Sequence, residues 1–163
     1  MVKQVKDLNV LFYETLRDIY FAEKQILRAL PKMAKTSQSD ELRHAFETHR
    51  DQTEGHVERL EQIFEIIDKP ARGKTCDAIN GIIDEGKEIM EEFAGTDALD
   101  PGLLAAAQAV EHYEISRYGT LKTWAAQLGL RNVVPLLEAT LSEEKKTDDL
   151  LSKIAQNVNR QAA

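Results

Sequence analysis

Two acidic residues lie on the apolar face of a helical segment, Ala107–Tyr118, in this chain of 163 residues. The segment has helical period, and Glu111 and Glu114 fall on the face that its apolar neighbours mark for burial. At about 100° per residue, Glu111, Glu114 and Leu121 lie within roughly 80° of one another around the helix. Carboxylates in a packed core are costly unless positive charge accompanies them, so the chain has to hold or bind a cation there.

The composition favours helix over sheet and one domain over several. Ala, Leu, Glu, Lys and Gln dominate, and the chain has only 8 Gly and 4 Pro, which suits long helices. The length is enough for one substantial core, so we expect a single domain over residues 1–163.

Net charge and cysteine content limit the classes of partner and the cellular compartment that we expect. The net charge of −7 argues against a non-specific nucleic-acid surface and against an anionic membrane. No apolar run is long enough to cross a bilayer, and charges interrupt the N-terminal apolar pattern too early for a signal peptide. Cys76 is the only cysteine, which excludes an intramolecular disulfide, so we expect a cytoplasmic protein.

Hydrophobic periodicity predicts four long helices and one shorter helix. Their predicted ranges are about 7–35, 40–67, 76–93, 101–128 and 132–157, the third being the shorter one. Asp100 followed by Pro101 indicates a helix start, with Asp100 as the N-cap. Short connections predict two antiparallel hairpins of long helices. The predicted fold is therefore all-α: a ferritin-like four-helix bundle with an additional shorter helix in the crossover between the second and third long helices.

Three of the predicted long helices carry a carboxylate near the middle of their buried face. Glu23 lies on the first, Glu111 and Glu114 on the third, and Glu144 on the fourth. Counting from the turn of each hairpin places these residues at a similar height, so they should form one layer across the bundle. Burial and like charge would raise their pKa values unless metal ions neutralise them. A dinuclear iron or manganese centre suits such a layer, with zinc possible in the purified protein.

The second long helix offers two alternative candidate ligands. The same count places the layer near residue 52 of that helix, between His49 and His56. His49 is the better-directed candidate metal ligand, although it lies almost a turn away. Glu54 is a second candidate, about 100° or more from the centre of the buried stripe.

Other polar residues lie near the predicted layer or carry a ligand motif. Asp148, near the buried face of the last helix, is a further candidate metal ligand. Glu41 and His44 form the only Glu-x-x-His pair in the chain, but it lies about two turns from the layer and is rejected. We interpret His56 and His112 as ordinary histidines. The run Glu143–Lys146 is interpreted as a solvated helix face, with Glu144 as its exception.

Five segments carry a resemblance to a known family. They are DIYFAEKQILRALPKM, HRDQTEGHVERLEQIFE, GKTCDAINGIIDE, AAAQAVEHYEISRYGTLKTWAAQLG and TLSEEKKTDDLL, and together they span roughly residues 8–157. On these segments the chain resembles the YciE/YciF family of bacterial stress proteins, which is similar in fold to ferritins and rubrerythrins. The resemblance implies a cytoplasmic, dimeric four-helix bundle linked to stress conditions.

The resemblance to rubrerythrin-like sites also implies roles for individual carboxylates. Glu111 and Glu114 match the closely spaced pair of the third helix. Glu23 and Glu144 match the single carboxylates of the first and fourth helices. Glu54 matches the acidic position of the second helix loosely, and no histidine matches in the usual place.

Two functions follow as hypotheses. The first is a ferritin-like stress-response protein whose core carboxylates bind a dinuclear metal centre, which could oxidise Fe(II) or reduce oxygen or peroxide. The alternative is a dimeric helical stress protein without redox turnover, in which the acidic layer is structural or holds a single cation. In both, a second copy of the chain is the expected partner.

Overall fold

The computed structural model describes residues 5–163, and all regular secondary structure in that range is helical. The five helices are α1 (Leu8–Thr36), α2 (Asp40–Ile66), α3 (Asp77–Glu92), α4 (Leu99–Gln127) and α5 (Val134–Ala162). The predicted all-α class, with a shorter helix third in order, is confirmed. Residues 1–4 of the predicted domain lie outside the described residues. No helix in the described range combines the length and the hydropathy that a membrane-spanning segment requires.

The four long helices pack around a common core. α1 contacts α2 and α4, α5 contacts the same two helices, and α3 lies against α1 and α4. On α1, the buried stripe runs through Leu16, Ile19, Glu23, Ile26 and Leu30. Fully burying a Leu or Ile side chain stabilises the fold by about 1.5–3 kcal/mol. The apolar residues on both sides of Glu23 therefore carry its carboxylate into the core.

Side-chain caps begin the first hairpin as the sequence indicates. Asp7 is the N-cap of α1, and its Oδ1 accepts a hydrogen bond from the Val10 N–H at 3.0 Å. Ser39 is the N-cap of α2, and its Oγ accepts from the Leu42 N–H at 3.3 Å. Each cap satisfies a backbone donor that has no partner within the helix.

The prediction that Asp100 is the N-cap of the third long helix is wrong. α4 begins at Leu99 with no side-chain cap, and Asp100 lies buried in its first turn. The Asp100 carboxylate instead accepts from the backbone N–H groups of Gln38 (2.9 Å) and Ser39 (2.7 Å). Asp100, predicted to cap its own helix, thus joins the α1–α2 connection to the start of α4.

The far end of α5 also differs from the expected one. The predicted helix ended near residue 157, whereas α5 continues to Ala162. Ile154 and Val158 remain buried on its inner face. This apolar stripe extends past the predicted end and keeps the last turns packed against the core.

The short helix α3 lies close against α4. A Cβ added at Gly102 would lie 2.6 Å from Ile89 Cγ2, so a side chain at that position would require Ile89 or α3 to move. At the other end, the Tyr113 hydroxyl lies 3.0 Å from Cys76 Sγ and donates a hydrogen bond to Asp18 at 3.0 Å. These contacts join the start of α3 to both α4 and α1.

Candidate metal centre

The four carboxylates expected in one layer lie together at the centre of the core. Glu23, Glu111, Glu114 and Glu144 are each at most 1% exposed. They come from α1, α4 and α5, as the helical periodicity predicts. Two α2 histidines, His49 and His56, are also buried and face the same carboxylates. We call these six residues the acidic layer.

The acidic layer divides into two overlapping halves. One ligand atom from each of Glu23, His56, Glu114 and Glu144 lies within 4.8 Å of the others, and we call this group the His56 half. The same spacing holds for His49, Glu111, Glu114 and Glu144, the His49 half. Glu114 and Glu144 belong to both. A pair of metal ions bridged by two carboxylates requires two ligands shared by both ions and a separate terminal set for each ion. The two halves have this arrangement.

The histidine nitrogens lie close to carboxylate oxygens. His56 Nδ1 is 2.9 Å from Glu144 Oε1 and 3.3 Å from Glu23 Oε1. His49 Nε2 is 2.8 Å from Glu111 Oε1. Two ligand atoms about 2.1 Å from one ion and at right angles to each other are separated by about 3.0 Å. The observed separations therefore suit neighbouring ligands of a common ion.

Many of these close atoms nevertheless form no hydrogen bond. Among the described residues, both oxygens of Glu114 and of Glu144 lack a hydrogen-bond partner, as do His56 Nδ1 and both ring nitrogens of His49. Buried polar atoms are normally satisfied, so a group of unsatisfied ones needs an explanation. A cation within the layer would satisfy them together, and this is the test by which the residues fit a metal.

The other nitrogen of His56 is held by a polar network outside the acidic layer. His56 Nε2 lies 2.9 Å from Glu143 Oε2. Arg59 donates to both oxygens of Glu143, at 3.0 and 2.7 Å, and to Thr140 Oγ1 at 3.2 Å. When Nε2 carries the proton, His56 donates it to Glu143 and directs Nδ1 into the layer. Metal-binding histidines are commonly oriented in this way by a carboxylate.

Tyr118 also holds the Glu23 carboxylate. Its hydroxyl donates a hydrogen bond to Glu23 Oε1 at 2.5 Å, and Tyr118 is 1% exposed. Burial and the neighbouring Glu23 and Glu114 carboxylates raise the pKa of Tyr118 well above its ordinary value. The tyrosine is therefore a neutral donor at physiological pH.

Protons offset much of the charge in the metal-free layer. Burial and the adjacent Glu144 carboxylate raise the pKa values of Glu111 and Glu114. Burial also acts to raise the pKa of Glu144, but contacts with protonated Glu111 and with His56 lower it overall. Burial acts to lower the pKa of His56, yet the carboxylates around it raise that pKa to about 10. Burial lowers the pKa of His49, which is therefore neutral. The layer thus combines neutral and charged members.

Two predicted ligands lie outside the acidic layer. The Glu54 side chain is 54% exposed, and its Oε1 is 3.8 Å from Arg50. Glu54 points outward because it is on the far side of α2 from the buried stripe. Asp148 lies at the rim, where it accepts from Gln108 Nε2 at 3.2 Å and lies 3.1 Å from His112 Nε2. Neither residue belongs to either half, so both predictions need correction.

Sequence reasoning missed two residues that the structure places at the layer. His56, interpreted as ordinary, is fully buried at its centre. It follows His49 by two helical turns, so the two histidines share a face, and that spacing is a readable signal. Glu143, expected in solvent, is half-buried against His56 and Arg59. The local sequence carries no comparable signal for Glu143.

Comparison with known proteins places the chain in a family. Residues 7–163 match the family described as Domain of unknown function (DUF892). Protein YciF of Escherichia coli is 42% identical over 160 residues, which are 97% of this chain and 96% of YciF.

Solved structures agree with this match. That of the E. coli stress protein YciF is 41% identical, covers 96% of this chain and 99% of YciF, and has a TM-score of 0.91. That of YcfI from Rhodopseudomonas palustris, a candidate structural protein, is 40% identical, covers 93% of this chain and 97% of YcfI, and has a TM-score of 0.89. The chain therefore belongs to the DUF892 family, and its resemblance to the YciE/YciF stress proteins is confirmed.

Proposed function

We propose that this chain is a ferritin-like stress-response protein that binds a dinuclear iron or manganese centre in the acidic layer. One observation carries the proposal: the two halves share Glu114 and Glu144, and with both carboxylates ionised none of their four oxygens has a hydrogen-bond partner among the described residues. Two ions bridged by both carboxylates would satisfy all four oxygens.

The donor set favours these metals. Each half has three carboxylates and one imidazole, a hard set that suits iron or manganese and that also accepts zinc. Glu114 and Glu144 would be the bridging ligands. Glu23 and His56 would be terminal ligands on one side, and Glu111 and His49 on the other.

The fold supports the same proposal. We assign the chain to the ferritin-like four-helix bundle, as one domain with α3 in the crossover between its two hairpins. In that fold a Glu comes from each of two helices and a Glu-x-x-His pair from each of the other two. Here α2 provides both imidazoles, at His49 and His56, and thereby replaces the missing Glu-x-x-His pairs.

When bound, such a centre supplies redox chemistry toward oxygen, peroxide or Fe(II). The chain's own residues prepare for it. Glu111 and Glu114 release protons as the layer binds cations, because metal ligands have to be deprotonated. Glu143 keeps a proton on His56 Nε2, Tyr118 holds Glu23 by its hydrogen bond, and the apolar surroundings exclude bulk water.

A second candidate function has an observation of its own. His56 lies between Glu23 and Glu144, and its pKa of about 10 keeps it positively charged. A cationic His56 and protonated Glu111 and Glu114 could balance the layer without metal. The protein would then be a helical stress protein without redox turnover, in line with the candidate structural role of YcfI. Homodimer formation and a cytoplasmic location remain predictions under both functions.

Elemental analysis of the purified chain, before and after anaerobic loading with Fe(II) or Mn(II), tests the proposal. We expect about two ions per chain. Oxygen consumption by the Fe(II)-loaded protein then separates redox turnover from binding alone. Glu54→Gln, on the exposed face of α2, is the matched control and should load fully. Less than one ion per chain under all loading conditions would favour the metal-free alternative.

A further inference from the structure

An apolar groove lies on the surface between α1, α3 and α4. Its volume is about 110 Å³. The floor is formed by Met33, Ile82, Ile83, Met90, Ala106 and Val110. Three basic residues, Arg28, Lys32 and Lys87, stand along its edge. The groove is therefore apolar in its depth and positively charged at its entrance.

A second, smaller cavity lies between this groove and the acidic layer. Its volume is about 20 Å³, and its lining includes His49 and Glu111. Met33 and Val110 line both the groove and the inner cavity, so they form the wall between the two. An unbranched thioether side chain such as Met33 adapts its shape readily. The groove thus approaches the His49 half of the layer through a deformable wall.

The charge at the entrance is opposite to that of the whole chain. The chain has a net charge of −7, yet three basic residues lie together at this edge. Within residues 5–163, neither Arg28 nor Lys32 forms an ion pair, while Lys87 Nζ lies 3.5 Å from Asp84 Oδ1. Unpaired cations beside an apolar floor are complementary to a molecule with an anionic head and an apolar chain.

We infer that the groove binds a free straight-chain monocarboxylic acid. Its carboxylate lies against Arg28 and Lys32, and its alkyl chain follows the floor toward Met33 and Val110. A second copy of this chain fits the groove less well, because it would bring a whole surface of net charge −7 against a chain of the same charge, whereas the acid brings one negative charge to the basic edge alone. An anionic bilayer is disfavoured for the same reason. Binding of the acid is independent of the proposed metal function, whereas its approach to the His49 half rests on that function.

Calorimetric titration of the metal-free full-length chain with octanoate, decanoate and dodecanoate, below their micelle concentrations, tests binding. Burial of each added methylene should tighten Kd about fourfold, so decanoate should bind roughly 15-fold tighter than octanoate. Dodecyltrimethylammonium has the same tail with the opposite charge and should bind at least about tenfold more weakly than dodecanoate. Equal binding of the two would overturn the assignment.

Variants of the floor and of the basic edge, each with a matched control, test where the acid binds. Ala106→Phe fills the groove and should weaken decanoate binding by more than about tenfold, whereas Ala109→Phe, exposed on the same helix, should not. The double variant Arg28→Gln with Lys32→Gln should weaken binding about tenfold and reduce its salt dependence. Lys153→Gln, on exposed α5 surface, is its control. The charge variants alter only exposed side chains and keep the test valid if Ala106→Phe fails to fold.

Other occupants give different results. If the acid does not bind and sedimentation shows a dimer that Ala106→Phe dissociates, the groove is an interface between two copies and the inference is wrong. Binding to phosphatidylglycerol vesicles without binding of the free acid would also overturn it.

The connection to the metal is measured separately, as the rate at which a chelator extracts loaded Mn(II). Decanoate should slow extraction at least about twofold; an unchanged rate would refute the approach to the His49 half. Decanoate binding to a chain that loads no metal would refute the proposed function and leave the groove assignment standing.

Discussion

The two halves of the acidic layer share two carboxylates but differ in what surrounds them. In the His56 half, hydrogen bonds fix the terminal ligands from outside: Glu143 and Arg59 behind His56, and Tyr118 behind Glu23. In the His49 half, neither ring nitrogen of His49 forms a hydrogen bond within the described residues, although Nε2 lies 2.8 Å from Glu111 Oε1, and an apolar cavity of about 20 Å³ adjoins the ring. One half is braced by polar groups, and the other is open to rearrangement.

This difference predicts two unequal metal positions. Ligands held by outer hydrogen bonds keep their geometry without an ion, so binding costs little reorganisation there. The His49 half has fewer such restraints, and its small cavity lies on the side of the surface groove, behind Met33 and Val110. We therefore expect the His56 half to bind its ion more tightly and the His49 half to be where substrates reach the centre.

The largest expected effect is the loss of metal from both halves together. Glu114→Gln replaces a carboxylate that both groups share, so metal content should fall from about two ions per chain to fewer than about 0.2. The metal-free variant should remain folded, because a neutral amide replaces a carboxyl group whose pKa burial already raises. Elemental analysis after Fe(II) loading gives the metal content, and circular dichroism gives the fold.

Glu58→Gln is the control for Glu114→Gln. It makes the same change at an exposed position of α2. It should retain both ions. Retention of two ions by Glu114→Gln as well would mean that the shared carboxylates do not bridge, and the contrast between the halves would lose its basis.

An intermediate effect should distinguish the halves. Glu143→Gln removes the charge that orients His56, and the loss of such an outer carboxylate weakens metal binding about 10- to 100-fold. Only one of the two steps in a Mn(II) titration should weaken, because Glu143 contacts the His56 half alone. Isothermal titration calorimetry resolves the two steps.

Two comparisons make that titration decisive. Glu138→Gln, exposed on the same helix, should leave both steps unchanged. His56→Gln should abolish the step that Glu143→Gln weakens, and His49→Gln should abolish the other. If Glu143→Gln weakened both steps equally, the halves would be one cooperative site.

The carboxylates of the layer could be predicted from the sequence because helical period fixes direction. Glu23, Glu114 and Glu144 each continue an apolar stripe, and apolar neighbours on both sides bury a carboxylate whatever its own preference. Counting from the turns then estimated their common height. Both inferences depend on rules that hold within one helix or one hairpin.

The residues that complete the layer depend on how helices meet, and local rules do not fix this. His56 lies about one turn past the predicted height, and a side chain reaching along its helix covers that distance. Glu143 is drawn inward by His56 and Arg59, both on α2. Asp100 was misread for a similar reason, because the amides that it caps belong to a different hairpin. The ferritin-like bundle itself stays a prediction.

The smallest expected effect concerns pH and again contrasts the two histidines. His56 has its pKa raised from 6.5 to about 10, so the stability that it contributes is complete below pH 6.5 and is lost as the pH rises through 10. Burial lowers the pKa of His49, so His49 destabilises the fold only when the pH falls below 6.5. The raised pKa values of Glu111 and Glu114 act in the same direction, and the stability that these residues contribute begins to fall as the pH rises above 4.5.

The metal-free protein should therefore melt at progressively lower temperature between pH 6.5 and 10, and its metal-loaded form should change less because metal binding has already displaced the protons. His56→Gln should make the decline shallower by a few degrees, since about 1 kcal/mol shifts Tm by about 2–4 °C in a domain of this size. His49→Gln should keep the wild-type slope in this window. Scanning calorimetry of the three chains measures it. An unchanged slope in His56→Gln would place the positive charge of the layer elsewhere, and the polar bracing of the His56 half would then have no electrostatic purpose.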